Sequence, residues 1–247
     1  DPKQVDEALA TGKYDLVTIT HNETSVGIMN PIKEIAEVVK KYPDVVFCVD
    51  TVSSMGGTSI PVDELGIDFC ITSTQKCLGC PPGMSVASVS KKAYERAKTV
   101  PNRGLYLDIV EIYDKVVKDD KYQYPSTPSE SHMFALQEEL TYMLEVEGLE
   151  NRYARHLEMA EYIRAWARKY FAIFSDERYL SPTLTTIKNT RGISVADLNK
   201  KLAEKGIEIS NGYGDLKEKT FRISHMADMT MDDMKLVTSA IEEVLGL

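Results

Sequence analysis

Short apolar runs alternate with amphipathic stretches over the first 100 residues. Residues 15–20 (DLVTIT), 45–49 (VVFCV), 69–72 (FCIT) and 84–90 (MSVASVS) read as strands. Their apolar residues run on almost without a break, as in parallel strands buried on both faces. Residues 5–10 predict a short helix ended near Gly12. A second helix is predicted after Asn30-Pro31, an N-cap followed by proline at the first helical position, with Ile32, Ile35, Ala36 and Val39 on one face. Pro43-Asp44 ends it. This strand–helix–strand alternation predicts an α/β fold with a mostly parallel sheet covered by helices.

The pattern then changes. Residues 102–120 are irregular and charged, predicting a surface helix and a loop, and 130–148 turn helical. A long helix is predicted over 151–170, carrying the only tryptophan, Trp166. Strands follow near 184–187, 207–210 and 220–224. Two helices carry capping signals, Ser194 with Asp197 and Thr230 with Asp233. The expected organisation is a large unit, 1–146, and a smaller α+β unit, 147–247. No internal repeat or low-complexity segment interrupts it.

The 247 residues suffice for a sizeable core, and 43% hydrophobic with 27% charged residues is an ordinary globular balance. A net charge of −9 argues against a nucleic-acid-binding surface. No apolar run approaches the roughly 18–20 residues that cross a membrane, and nothing at the N-terminus reads as a signal peptide. Four single cysteines in strands or beside a lysine point to a reducing compartment, so a cytoplasmic location is expected. Cys77 and Cys80 form a C-x-x-C, but no second pair follows at zinc-ribbon spacing. Both read as small residues packed in a crowded turn, and no metal is expected.

The chemistry centres on residues 68–83, DFCITSTQKCLGCPPG. An apolar strand ends in Thr72-Ser73-Thr74-Gln75, and Lys76 follows in a turn closed by Gly79, Pro81, Pro82 and Gly83. A lysine there is expected to be partly desolvated and able, when neutral, to form a Schiff base with a carbonyl. Asp50 stands at the C-terminal tip of the preceding strand, where ligands of open α/β sheets gather. Pyridoxal 5'-phosphate needs both groups, a lysine for its aldehyde and an acid for its pyridinium nitrogen.

HNETSVG (21–27), VDTVSSMGG (49–57), STQKCLGCPPG (73–83), YPSTPS (124–129) and FRISHM (221–226) stand in the order and spacing of class V aminotransferases. The chain resembles that family from end to end, most of all its alanine–glyoxylate and serine–pyruvate group. The resemblance implies the fold of aspartate-aminotransferase-like (fold type I) pyridoxal-phosphate enzymes and an aminotransferase moving an amino group from alanine or serine to glyoxylate or pyruvate. It implies catalytic roles for Lys76 and Asp50, and cofactor contacts from Thr24 at the ring and Gln75 at the phosphate. Tyr124 and Thr127 would reach the phosphate of the partner subunit, so a homodimer with shared sites is expected. Arg222 would bind the substrate α-carboxylate; its alternative is an internal salt bridge to one of the 38 acidic residues. His21 reads equally well as a satisfied histidine at a strand end.

Family members carry a further segment before this point, including a glycine-rich loop that holds the cofactor phosphate. These 247 residues alone are therefore expected to bind the cofactor weakly or not at all. A cofactor-free member with a structural or binding role is the non-enzyme alternative. A cysteine desulfurase or lyase fits less well: those relatives usually place histidine before the lysine, where this chain has Gln75, and no cysteine follows Cys80.

Overall fold

The computed structural model describes residues 1–118 and 123–247. Helix α1 (Pro2–Leu9) is capped by the Asp1 side chain, which accepts from the Lys3 amide. Strand β1 (Leu16–Thr20) follows, then a hairpin of β2 (Asn22–Glu23) and β3 (Ile28–Met29), helix α2 (Ile32–Val39) and strand β4 (Val46–Asp50). The one-turn helix α3 (Val62–Leu65) leads to β5 (Phe69–Ser73) and β6 (Ser85–Val89). These form a sheet in the order β1-β4-β5-β6, in which β1, β4 and β5 are parallel.

Strand β6 runs antiparallel to β5. The connection between them is too short for a helical crossover. Instead Thr74 Oγ1 donates to the carbonyls of Pro81 (2.8 Å) and Met84 (3.2 Å) and folds the chain straight back. Lys76 lies in that turn.

Alternation along the strands turns Val17, Ile19, Phe47, Val49 and Cys70 toward Leu9 of α1, Ile32, Ile35, Ala36 and Val39 of α2, and Leu65 of α3. On the other face Thr18, Thr20, Cys48, Asp50, Phe69 and Ile71 line a cavity of about 350 Å³. Two expectations are corrected here. β1 is less buried than a central strand: among the described residues it pairs only with β4, and Leu16 is 48% exposed. Asn30 does not cap α2: its side-chain Nδ2 donates to the Thr20 carbonyl (2.8 Å), tying the helix entrance to the end of β1, and Pro31 holds the cap position without a side-chain bond.

Helices α4 (Lys91–Lys98), α5 (Ile109–Tyr113) and α6 (Glu130–Thr141) come next. α6 widens into a π-helical turn over Tyr142–Glu147, and Gly148, at φ 79°, redirects the chain into the 22-residue helix α7 (Leu149–Tyr170). β7 (Ala172–Ile173), β8 (Leu184–Lys188), α8 (Val195–Ala203), β9 (Ser210–Asn211), β10 (Thr220–Ser224) and α9 (Met231–Leu245) complete the chain. Their strands form an antiparallel sheet in the order β7-β8-β10-β9.

Both predicted caps form: Ser194 accepts from the Asp197 amide, and Thr230 and Asp233 bond each other reciprocally as a capping box. The strand expected over 207–210 shrinks to Ser210–Asn211. Ile207 and Ile209 instead anchor the chain in the core, and the Ile209 amide donates to Asn199 Oδ1 rather than to a ladder.

Helices α7, α8 and α9 cover this second sheet with Met159, Ile163, Trp166, Leu198, Met234 and Ile241 against Ile187, Phe221 and Ile223. Phe221 and Ile223 point into that core, so the two-residue period turns Arg222 to the opposite face. The first cluster draws on residues 9–70 and the second on 159–241. On this basis we propose the division into 1–146 and 147–247. Among the described residues no helix is long and apolar enough to cross a membrane.

Candidate active site

The Lys76 turn is closed by two backbone bonds, Gly79 N–H to the Lys76 carbonyl (3.0 Å) and Cys80 N–H to the Thr74 carbonyl (2.9 Å). Its interior is filled by Cys77 and Leu78, which leaves Lys76 half-buried, in keeping with the partial desolvation expected from the sequence. None of the described acids forms an ion pair with it. Burial pushes the Cys77 thiol up to about 12, so Cys77 is a neutral packing group and not a nucleophile. Among the described residues no cluster of three or more His, Cys, Asp or Glu could hold a metal ion.

Asp50 ends the strand next to β5. Its Oδ1 accepts from the Val52 amide (2.8 Å), and the carboxylate is exposed on the open face of the sheet. The following turn is the hub of the site. The Ser53 carbonyl accepts from Asn22 Nδ2 (2.7 Å), Thr183 Oγ1 (2.7 Å) and, weakly, Cys77 Sγ (3.6 Å). The Ser53 hydroxyl bonds Thr24 Oγ1 at 2.6 Å. One peptide unit thus ties the β2–β3 hairpin, the Lys76 turn and the entrance to β8. Gly57 permits this approach: a Cβ there would stand 2.4 Å from Thr183 Cγ2 and 3.0 Å from Cys77 Sγ.

Arg222 reaches this hub from the second sheet. It is 5% exposed, with Nη1 donating to the Thr24 carbonyl and Nη2 to the Asn211 carbonyl, both at 3.1 Å. The Tyr213 ring lies on the guanidinium, its centroid 3.7 Å from Cζ. The Arg222 guanidinium, with Lys76 further off, holds the Tyr213 phenol below its ordinary value. No described carboxylate pairs with Arg222, so the internal salt bridge weighed from the sequence does not form among the described residues. Its Nε is buried without a hydrogen-bond partner, as is Oγ1 of Thr186, its register partner on β8.

Arg222 is thus bonded to Thr24, Thr24 to Ser53, and Ser53 to Cys77, which brings together the segments that carry Asp50 and Lys76. Gln75 is exposed beside Lys76. Tyr124 and Thr127 are exposed in the loop before α6, and no hydrogen bond joins them to the other four. That loop is held by His132, which bonds the Pro82 carbonyl (2.9 Å) and Ser129 Oγ (2.7 Å).

Sequence reading missed two groups. Arg152, fully buried near the start of α7, donates Nη2 to the Cys77 carbonyl (2.9 Å) and is surrounded by Glu147, Asp228 and Glu139 at 2.8, 2.9 and 3.1 Å. In sequence it stands in a charged helical run that reads as a solvated face. Tyr213, between two glycines, reads as a turn residue.

Three histidines sit buried and neutral around the hub. His21 bonds Ser54 Oγ (2.9 Å), as its bland reading required; His156 bonds the Arg152 carbonyl and His225 bonds Thr185 Oγ1. Burial pushes His21 and His156 down to about 4 and His225 to about 3. An unfolded histidine titrates near 6.5, so below that pH the unfolded chain takes up protons that the folded chain refuses. Stability should therefore fall from about pH 6.5 toward pH 4, by about 2 kcal/mol per histidine at pH 5, and should not depend on these groups above pH 7. Urea unfolding at pH 5 and pH 7 checks this; equal midpoints would contradict it.

A mostly parallel α/β sheet joined to a smaller antiparallel α+β unit is the architecture of fold type I pyridoxal-phosphate enzymes. The chain belongs to the class-V aminotransferase family, whose model matches residues 1–237. It is 44% identical over 232 residues to an uncharacterized aminotransferase of Methanocaldococcus jannaschii, covering 92% of this chain and 59% of that protein. It is 34% identical over 252 residues to the alanine–glyoxylate aminotransferase of Callithrix jacchus, covering 98% of this chain and 60% of that one. Among solved structures, alanine–glyoxylate aminotransferase from Nostoc sp. superposes with a TM-score of 0.91 at 28% identity, covering 98% of this chain and 65% of that one. Pyridoxamine–pyruvate aminotransferase from Mesorhizobium loti also gives 0.91, at 29% identity, covering 100% and 64%. The chain thus spans about three-fifths of the length of its curated relatives.

The family's cofactor is pyridoxal phosphate, and the residues present fit it. Lys76 has no described ion-pair partner. Among the described residues the Asp50 carboxylate accepts only from the Val52 amide, and Ser73 Oγ, two residues beyond Asp50's register partner Ile71, is buried without a hydrogen-bond partner.

Proposed function

We propose that this chain carries the catalytic groups of a pyridoxal-phosphate-dependent aminotransferase that moves an amino group from a small amino acid, alanine or serine, to a 2-oxo acid such as glyoxylate or pyruvate. The observation that carries this reading is Arg222, buried, joined through Thr24 and Ser53 to the Asp50 and Lys76 segments, and without a carboxylate partner among the described residues. A buried guanidinium with an unpartnered Nε favours an incoming carboxylate. Every α-amino and 2-oxo acid supplies one.

In this reading Lys76 and Asp50 hold the cofactor, Lys76 through its amine and Asp50 by keeping the ring nitrogen protonated. Thr24 orients the ring, with its hydroxyl fixed by Ser53, and Gln75 serves the phosphate. When bound, the cofactor supplies an electron sink that makes the substrate Cα–H bond easier to break. The Lys76 amine takes that proton as a general base and delivers it again as an acid, which requires it to be neutral when it accepts. Arg222 fixes the α-carboxylate and so sets which substrate bond faces Lys76.

Tyr124 and Thr127 are exposed, and among the described residues no side-chain hydrogen bond holds either of them, which supports a role across a homodimer. Sedimentation showing a monomer at working concentration would count against that.

Arg222→Ala is expected to raise KM for every α-amino acid donor by about ten- to a hundredfold, the loss of a charge-assisted bond of about 1.5–3 kcal/mol. Steady-state kinetics with alanine and serine measure it. Unchanged KM values would return Arg222 to a structural role.

A further inference from the structure

The loop from Asn211 to Thr220 is built to present one side chain. Asn211 Oδ1 accepts from the amides of Gly212 (2.8 Å) and Glu218 (2.9 Å), and its Nδ2 donates to Glu218 Oε1 (2.5 Å). The Gly212 amide also donates to the Thr220 carbonyl (3.0 Å), and a Cβ on Gly212 would stand 2.1 Å from the Leu216 carbonyl oxygen. The loop is therefore tight and self-bonded. At its tip Tyr213, 58% exposed, lies outside the hydrophobic core. Its contact of note is the stack on Arg222.

We propose that Tyr213 is a positioning residue of the carboxylate site: its ring fixes the plane of the Arg222 guanidinium, so that an α-amino or 2-oxo monocarboxylate meets the remaining N–H groups edge-on. The inference rests on the reading of Arg222 given above. Two backbone carbonyls hold the guanidinium at Nη1 and Nη2. Those two bonds leave rotation about the line joining them, and a ring lying on one face removes it. The ring also excludes water from that face, which strengthens the attraction for an anion approaching the edge.

Two substitutions separate the ring from its hydroxyl. Tyr213→Ala is expected to raise KM for L-alanine, and the Kd for pyruvate measured by titration calorimetry, by about five- to tenfold, the range for a partly desolvated cation–π contact, with kcat within about twofold. Tyr213→Phe keeps the ring and should leave both near the unsubstituted values. A residue that only stabilised the fold would lower kcat and the melting temperature without this KM-against-kcat split. If Tyr213→Ala leaves KM and Kd unchanged while Arg222→Ala raises them, the role of Tyr213 is overturned and the carboxylate site stands. If Tyr213→Phe behaves like Tyr213→Ala, the hydroxyl and not the stack carries the effect, and the proposal is overturned. If Arg222→Ala changes neither quantity, the carboxylate reading itself falls, and this inference with it.

Discussion

Replacing Lys76 with alanine is expected to lower transamination by about 10⁴-fold or more, and to abolish the visible absorbance of bound pyridoxal phosphate. The same substitution should change unfolding free energy by less than about 0.5 kcal/mol, as for a side chain removed from critical packing. The turn owes its shape to backbone bonds at Gly79 and Cys80 and to buried Cys77 and Leu78, none of which involve the Lys76 side chain. Loss of chemistry without loss of fold is the signature of a catalytic group. Normal turnover by Lys76→Ala would end the aminotransferase reading at this lysine.

Arg152→Met is expected to act in the opposite sense, on the fold first. Arg152 is fully buried and neutralises Glu147 and Glu139, which are largely buried, together with half-exposed Asp228. Burial disfavours the Glu147 charge, but Arg155 and Arg152 outweigh that and hold its carboxyl below the ordinary range. Burial, then Asp228, raises Glu139. Breaking a buried charge group typically costs about 3–5 kcal/mol, here chiefly because largely buried Glu139 would lose its cation while Glu147 kept only Arg155. Urea unfolding measures this, and a double-mutant cycle with Glu147→Gln isolates the pair. Loss of the bond to the Cys77 carbonyl should also loosen the Lys76 turn. A cost below about 1 kcal/mol would show that water or Arg155 compensates.

The two halves of the chain were legible in different degrees. In α/β sheets the buried strands are continuous apolar runs, and VVFCVD and DFCITS announced β4 and β5 together with the residues at their tips. That pattern alone placed Asp50 and Lys76 at one edge of the sheet, because parallel strands deliver their C-terminal ends to the same side. Caps such as Ser194 and Thr230 were equally visible, since they are local hydrogen bonds between residues three apart.

Other features depended on contacts between distant segments. The direction of β6 followed from Thr74 folding the turn back on itself, and β1 became an edge strand because it pairs on one side only. Arg152 looked like one more charge on a helix until α7 was laid against the Cys77 carbonyl, 75 residues away in the chain. Tyr213 looked like a turn residue until its loop met β10. A side chain's local pattern records which way it points from its own element, and so Arg222 could be read as facing away from Phe221 and Ile223. What waits on that face, whether a carboxylate, a carbonyl or an aromatic ring, is set by the packing of other elements, which short-range periodicity does not encode.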